Sequence, residues 1–130
     1  MIVVDSSALL AALVVDRGGS KLERRLSGVR ELHAPELLDV EILHALRRLV
    51  ATGALAEERA QHVREDVAAL RIRRYPHHAL VDRAWELRAA LTPSDAIFVA
   101  LAEVLEMPLV TCDPYLASTA EHGAEIELIA

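Results

Sequence analysis

The chain has 130 residues, about one domain's worth, with a formal net charge of −6 from 14 Lys+Arg against 20 Asp+Glu. Hydrophobic residues make up 53%, above the roughly 45–50% of an ordinary soluble domain even with glycine counted, so disorder is excluded: such a chain buries enough surface to offset its ordering entropy. A membrane-spanning helix is excluded too, because the longest apolar runs, Ala8–Val15 and Ala96–Ala102, fall far short of the roughly 20 residues a span needs.

Met1-Ile-Val-Val-Asp5 is a short apolar run ending on an acid, the pattern of a strand buried on both faces. Ser6–Val15 continues as a helix that Asp5 or Ser6 can cap. Gly18-Gly19-Ser20 interrupts the chain, and Lys21–Leu26 reads as a short polar helix. Leu32-His33-Ala34 is a second strand closed by Pro35. Glu36 to about Thr52 is helical, with Gly53 in C-cap position, and Leu55–Leu70 is helical again. Ile72–Tyr75 is short and ambiguous before Pro76. His78–Leu91 has helical periodicity. Thr92-Pro93-Ser94-Asp95 combines a capping hydroxyl, proline at the first helical position and an acid three residues on. It opens an almost wholly apolar helix, expected to be central. Pro108–Thr111 is a strand, Asp113–Glu121 a helix and Glu125–Ile129 a last strand. Alternating strands and helices predict an α/β fold, a three-layer α/β/α arrangement around a parallel sheet of four to five strands, as one domain over residues 1–130.

Ligands of open parallel sheets bind at the carboxyl ends of the strands, where Asp5 and Asp113 fall. Both also read as helix caps, Asp113 with Pro114 behind it. Asp95 reads equally as the acid of a Thr92-x-x-Asp95 capping box. Glu41 is different: it lies mid-helix, with Leu37, Leu38 and Ala45 one turn away and Arg48 two turns along. Its alternative is a half-exposed acid paired with Arg48. Carboxylates gathered in one pocket raise one another's pKa unless a cation compensates. With a lone cysteine, Cys112, and no paired-histidine motif, an all-oxygen donor set suits Mg²⁺ or Mn²⁺, and such ions promote attack on phosphate esters.

In these residues the chain resembles a PIN-domain ribonuclease, of the VapC-type toxins of toxin–antitoxin pairs. The resemblance rests on Ile2-Val-Val-Asp5-Ser-Ser-Ala8, Ala34-Pro-Glu-Leu-Leu-Asp-Val-Glu41, Ser94-Asp-Ala-Ile-Phe-Val-Ala-Leu-Ala-Glu103 and Pro108-Leu-Val-Thr-Cys-Asp113, in the family's order across essentially the whole chain. It implies an acidic quartet of Asp5, Glu41, Asp95 and Asp113, catalytic through one or two Mg²⁺ or Mn²⁺ ions, with Asp5 and Asp95 foremost as ligands. It implies a supporting hydroxyl at Thr111 and a similar part for Ser7, which also reads as an ordinary helix-start serine. At His44, family members often have asparagine. The resemblance further implies an endoribonuclease acting on tRNA or rRNA, a VapB-type antitoxin partner, a homodimer or larger assembly with antitoxin, and a cytoplasmic location. The apolar surplus fits such shared surfaces.

All 14 basic residues, 13 of them arginine, lie at or before Arg88, whereas Ala89–Ala130 holds seven acids and no Lys or Arg. Phosphate contacts therefore fall to Arg47, Arg48, Arg71, Arg73, Arg74 and the Arg17/Lys21/Arg24/Arg25 group, each of which also reads as a solvated face. With only Tyr75, Trp85, Phe98 and Tyr115 aromatic, an extended stacking platform is not expected. His77-His78 is expected to face solvent rather than bind zinc. One rival is a catalytically silent RNA- or protein-binding module of the same fold, which would not need four repelling acids. The other is a phosphotransfer domain using Asp5 as nucleophile, but that chemistry wants an acid where Ser7 stands and a lysine downstream of Lys21.

Overall fold

A computed structural model describes residues 1–14, 21–119 and 121–129, with backbone alone at 21–23. Arg17 and the Gly18-Gly19-Ser20 break lie outside the described residues, as does the Lys21 side chain. Among the described residues five strands, β1 (Ile2–Val4), β2 (Leu32–Pro35), β3 (Ile72–Tyr75), β4 (Leu109–Thr111) and β5 (Ile126–Leu128), alternate with seven α-helices. These are α1 (Ser6–Val14), α2 (Lys21–Ser27), α3 (Leu37–Ala51), α4 (Glu57–Ala69), α5 (Val81–Glu86), α6 (Pro93–Leu105) and α7 (Pro114–Ser118). None is long and apolar enough to cross a membrane.

All strand pairs are parallel, in the order β3-β2-β1-β4-β5. The chain winds outward from β1 to β3, then returns past β1 to β4 and β5. With this order, right-handed crossovers, the rule for parallel strands, require α1–α4 on one face and α5–α7 on the other, the expected three layers. α1 packs on α2, α3 and α4, while α6 packs on α5 and the central strands. Val3, Val4, Leu109 and Val110 are fully buried, and so is α6 from Ala96 through Ala102. That explains the unbroken apolar character of these segments: both faces of the central strands, and nearly all sides of α6, meet other elements.

The ambiguous Ile72–Tyr75 segment is a true strand, pairing with Leu32–Pro35 through all four residues. It is an edge strand, and its outward Arg73 and Arg74 are the charges that keep such an edge from pairing with another chain. Two helices depart clearly from the sequence expectation. His78–Leu91 is a 3₁₀ turn over His78–Leu80 followed by α5, which stops at Glu86. Beyond it Ala90 and Leu91 both donate to the Leu87 carbonyl, a tightening that turns Leu87 and Leu91 into the core. Thr92, which precedes proline, could not have been helical in any case. The helix expected over Asp113–Glu121 is only Pro114–Ser118. At α3 the end is as read: Gly53 adopts φ +78° and donates to the Val50 carbonyl at 3.1 Å, a left-handed closing conformation open to glycine at little cost.

Candidate active site

The winding reverses between β1 and β4, and the carboxyl ends of strands at such a point are where ligands of open parallel sheets bind; Asp5 directly follows β1 there. Its side chain is nearly buried and fully engaged. Oδ1 accepts from the Ser7 hydroxyl at 2.7 Å and the Ala8 N–H at 2.9 Å, and Oδ2 accepts from the Thr111 hydroxyl at 2.5 Å. Thr111, the last residue of β4, also accepts the Asp113 N–H at 3.0 Å. Ser7 accepts the Cys112 N–H at 3.1 Å and lies 3.3 Å from the Thr111 hydroxyl. The two hydroxyls thus clasp the ends of neighbouring strands around one carboxylate. Ser7 and Thr111 both donate to the Asp5 carboxylate.

Asp113 caps α7, its carboxylate accepting the Tyr115 N–H at 3.0 Å. Asp95 lies in the first turn of α6, where the Thr92 hydroxyl accepts its N–H at 3.3 Å. Glu41 reaches in from α3, and Ser6 donates to its Oε1 at 3.4 Å. Asp5 and Asp113 each cap a helix, and the charge of Asp113 is felt at Asp5, so capping does not exclude a shared site. The Glu41–Arg48 pair is not formed. Arg48 is exposed, as is His44, and among the described residues no ion pair engages any of the four acids.

Their electrostatics link them. Burial pushes the Asp5 carboxyl above its usual value, with the Asp113 charge adding and the Thr111, Ala8 and Ser7 hydrogen bonds opposing. Asp95 is raised chiefly by burial, and further by Asp113 and Asp5, against the Thr92 hydroxyl. Glu41 is raised by burial, then by Asp95 and Asp5, against the Ser6 hydroxyl. Asp5, Asp95 and Glu41 each feel at least one other acid, and among the described residues no cation is among the causes that shift them. Among the described residues no three His, Cys, Asp or Glu side chains close around a single point as a cage would. Mg²⁺ is ordinarily held by one or two carboxylates, with waters in its other positions. The donor set, all oxygen and rich in unneutralised charge, fits a hydrated hard cation.

Several expected phosphate-binding arginines are already engaged. Arg74 makes a two-pronged pair with Asp39 at 2.6 and 2.9 Å, and Arg25 does so with Glu127. Arg73 lies over the Tyr75 ring. Arg24, Arg47, Arg48 and Arg71 are exposed. His77 does not face solvent: its Nε2 accepts the Leu37 N–H at 2.8 Å, satisfying an otherwise orphan donor at the start of α3. His78 is exposed as expected. Two contacts escaped the sequence reading. Ser6 touches Glu41, and the only hint was a second serine in the first turn of α1. Tyr115 donates its phenol proton to the Ala90 carbonyl, a link between α7 and the turn before α6 that no local pattern announces.

Residues 2–122 match the protein family described as "PIN domain". Over 130 residues, all of both chains, the protein is 39% identical to Ribonuclease VapC12 of Mycobacterium tuberculosis. Over 129 residues, 99% of this chain and 98% of the relative, it is 40% identical to VapC ribonuclease Mb0985 of Mycobacterium bovis. Its fold is similar to that of PAE2754 from Pyrobaculum aerophilum, with a TM-score of 0.71 at 23% identity over 96% of this chain and 82% of that one. It is similar as well to a chain of a toxin-antitoxin complex from Klebsiella pneumoniae, with a TM-score of 0.67 at 16% identity over 93% of each. A third likeness is to Mycobacterium tuberculosis VapC20, a Sarcin-Ricin loop cleaving toxin, with a TM-score of 0.64 at 16% identity over 93% of this chain and 98% of that one.

Proposed function

The chain belongs to the PIN-domain family, and from that premise we propose that it is a divalent-metal-dependent endoribonuclease, the toxin of a toxin–antitoxin pair, acting on tRNA or rRNA and silenced by a VapB-type antitoxin. The observation behind this reading is the unneutralised carboxylate group: Asp5, Glu41 and Asp95 all have raised proton affinity through burial and one another's charge. A silent binding module gains nothing from that arrangement, which costs folding stability until a cation arrives. The ribonuclease names of its relatives and the antitoxin in a structural neighbour support the reaction and the partner.

In this reading Asp5 and Asp95 are the principal ligands of Mg²⁺ or Mn²⁺, with Glu41 and Asp113 completing a site for one or two ions. A bound ion there supplies charge neutralisation at the phosphate and acidifies a water for attack. The chain's own part is to hold its oxygens still. Ser7, Thr111 and the Ala8 N–H fix both oxygens of Asp5, so that little reorganisation accompanies ion binding. Asp113 is fixed by its bond to the Tyr115 N–H, and Glu41 is oriented by Ser6. Neither a histidine base nor a nucleophilic side chain is required.

The test incubates the purified chain with total RNA, with and without Mg²⁺ or Mn²⁺, beside Asp5→Asn and Asp95→Asn variants. Cleavage confined to the native chain with metal is expected. Cleavage that survives EDTA, or both substitutions, would overturn the reading. Growth arrest on expression of the native chain, relieved by co-expression of a neighbouring antitoxin gene, tests the toxin role.

A further inference from the structure

Four aromatic rings are available to this protein, and they differ in what covers them. Phe98 is core, 2% exposed. Tyr75 stacks on His33 with ring centroids 5.8 Å apart and carries the Arg73 guanidinium at 5.7 Å. Trp85 is exposed, but the Arg88 guanidinium lies 4.4 Å from its centroid and shields one face. Tyr115 is 54% exposed, and among the described residues no ring or guanidinium lies over it. It is also the ring beside the carboxylates. Its N–H is held by Asp113, and its phenol proton goes to the Ala90 carbonyl, in the turn leading to Thr92 and the helix of Asp95. The side chain thus spans the two segments that present Asp113 and Asp95, anchored at both ends with its ring in solvent.

We propose that Tyr115 is the stacking surface for one RNA base next to the scissile phosphate. The inference rests on the endoribonuclease reading and adds to it how the strand is gripped on this side. The segment from Ala89 onward contains no Lys or Arg, so what its own side chains can offer a strand here is a ring for a base rather than a cation for a phosphate. Every base has a π-face, and aromatic stacking needs no hydrogen-bond code. Because both ends of Tyr115 are pinned in the free protein, little rotamer freedom is left to lose when a base arrives. Scarcity of aromatic residues excludes an extended platform but not a single ring.

The experiment uses the full native chain in EDTA, so that RNA is bound but not cut. It titrates 12-nucleotide oligomers of adenosine, of uridine and of abasic ribose phosphate. Adenosine is expected to bind tightest and the abasic strand weakest, the extremes differing roughly tenfold, within the span of one base–aromatic stack. Tyr115→Phe should keep this preference, whereas Tyr115→Leu should erase it and leave abasic affinity unchanged. Tyr115→Met is a second ring-free variant should the leucine protein fail a circular-dichroism check of folding. The proposal is overturned if base preference is absent from the starting protein or persists without the ring. It is equally overturned if Tyr115→Phe loses the preference as fully, which would make the phenol strap the only role. Cleavage of total RNA by the native chain in Mg²⁺ is scored alongside. Cutting combined with a failed ring dependence removes the stacking proposal alone, and no cutting removes the reading beneath it.

Discussion

Glu103 and Glu41 are both partly buried glutamates on long helices, α6 and α3, yet they live under opposite conditions. Glu103 receives two bonds from Arg83, at 2.8 and 2.9 Å, and one from the Gly123 N–H at 2.7 Å, and the Arg83 bond pulls its carboxyl below the usual range. Glu41 receives one long bond from Ser6, and burial with two neighbouring acids pushes it up. The difference is not a shortage of arginine, since Arg47 and Arg48 stand exposed on the same helix as Glu41. Where a carboxylate serves only the fold, this protein supplies a guanidinium. At the carboxyl end of β1 and β4 no ion pair engages the four acids among the described residues, and the proposed divalent ion would fill that vacancy in charge.

The sharpest way to break this contrast is Asp5→Asn, which should lower metal-dependent RNA cleavage by roughly a thousandfold, the scale of losing one preorganised charge-stabilising group, as read in a gel assay at saturating Mg²⁺. Thr111→Val comes next. It keeps the shape but leaves Asp5 Oδ2 and the Asp113 N–H without their partner, so cleavage should fall about 10–100-fold and stability by about 1–3 kcal/mol. Melting in EDTA then separates the two acid classes directly. Asp95→Asn should raise the melting temperature by roughly 2–4 °C, a common exchange of stability for function, while Glu103→Gln should lower it. Adding Mg²⁺ should stabilise the native chain and not Asp5→Asn, by about 2.7 kcal/mol at a hundredfold excess over Kd.

The same contrast predicts a bell-shaped stability profile without metal. Acids raised on folding, Glu41, Asp95 and Asp5, bind protons in the folded state at pH values where the unfolded chain has lost them, so stability rises as pH falls toward the ordinary carboxylate range. Glu103, depressed by Arg83, contributes stability that is present above its ordinary value of 4.5 and lost as pH falls through its lower folded value. Glu41→Gln should flatten the neutral limb of the profile, and Glu103→Gln the acid limb, in thermal melts across pH. The smallest effect is expected from Arg74→Ala. Its pair with Asp39 is largely solvent-exposed and should be worth no more than about 0.5 kcal/mol.

Much of this was readable from the chain because the site is built on strand ends. Ile2–Val4 and Leu109–Thr111 announce themselves as apolar runs, and the residues just past such runs in a parallel sheet face the crevice by topology alone. Glu41 stood out because no cap or neighbouring cation explained it. What escaped depends on partners far apart in sequence. His77 looked like a solvent-facing loop residue because its acceptor role belongs to Leu37, forty positions earlier. The early end of α5 follows from core demands at Leu87 and Leu91, not from any breaker between Glu86 and Thr92. Ile72–Tyr75 resolves as a strand only once Leu32–Pro35 lies beside it.

The double duty of Asp5 and Asp113 has a consequence for how such a protein can lose its activity by drift. Each opens a helix as well as presenting charge, so replacement by alanine would cost about 1 kcal/mol of folding stability along with the chemistry. Asparagine caps as well as aspartate and carries no charge. A copy released from selection for cleavage therefore has one exit at these two positions that leaves the fold intact. Inactive descendants should be marked by asparagine at 5 and 113 before any other residue appears there.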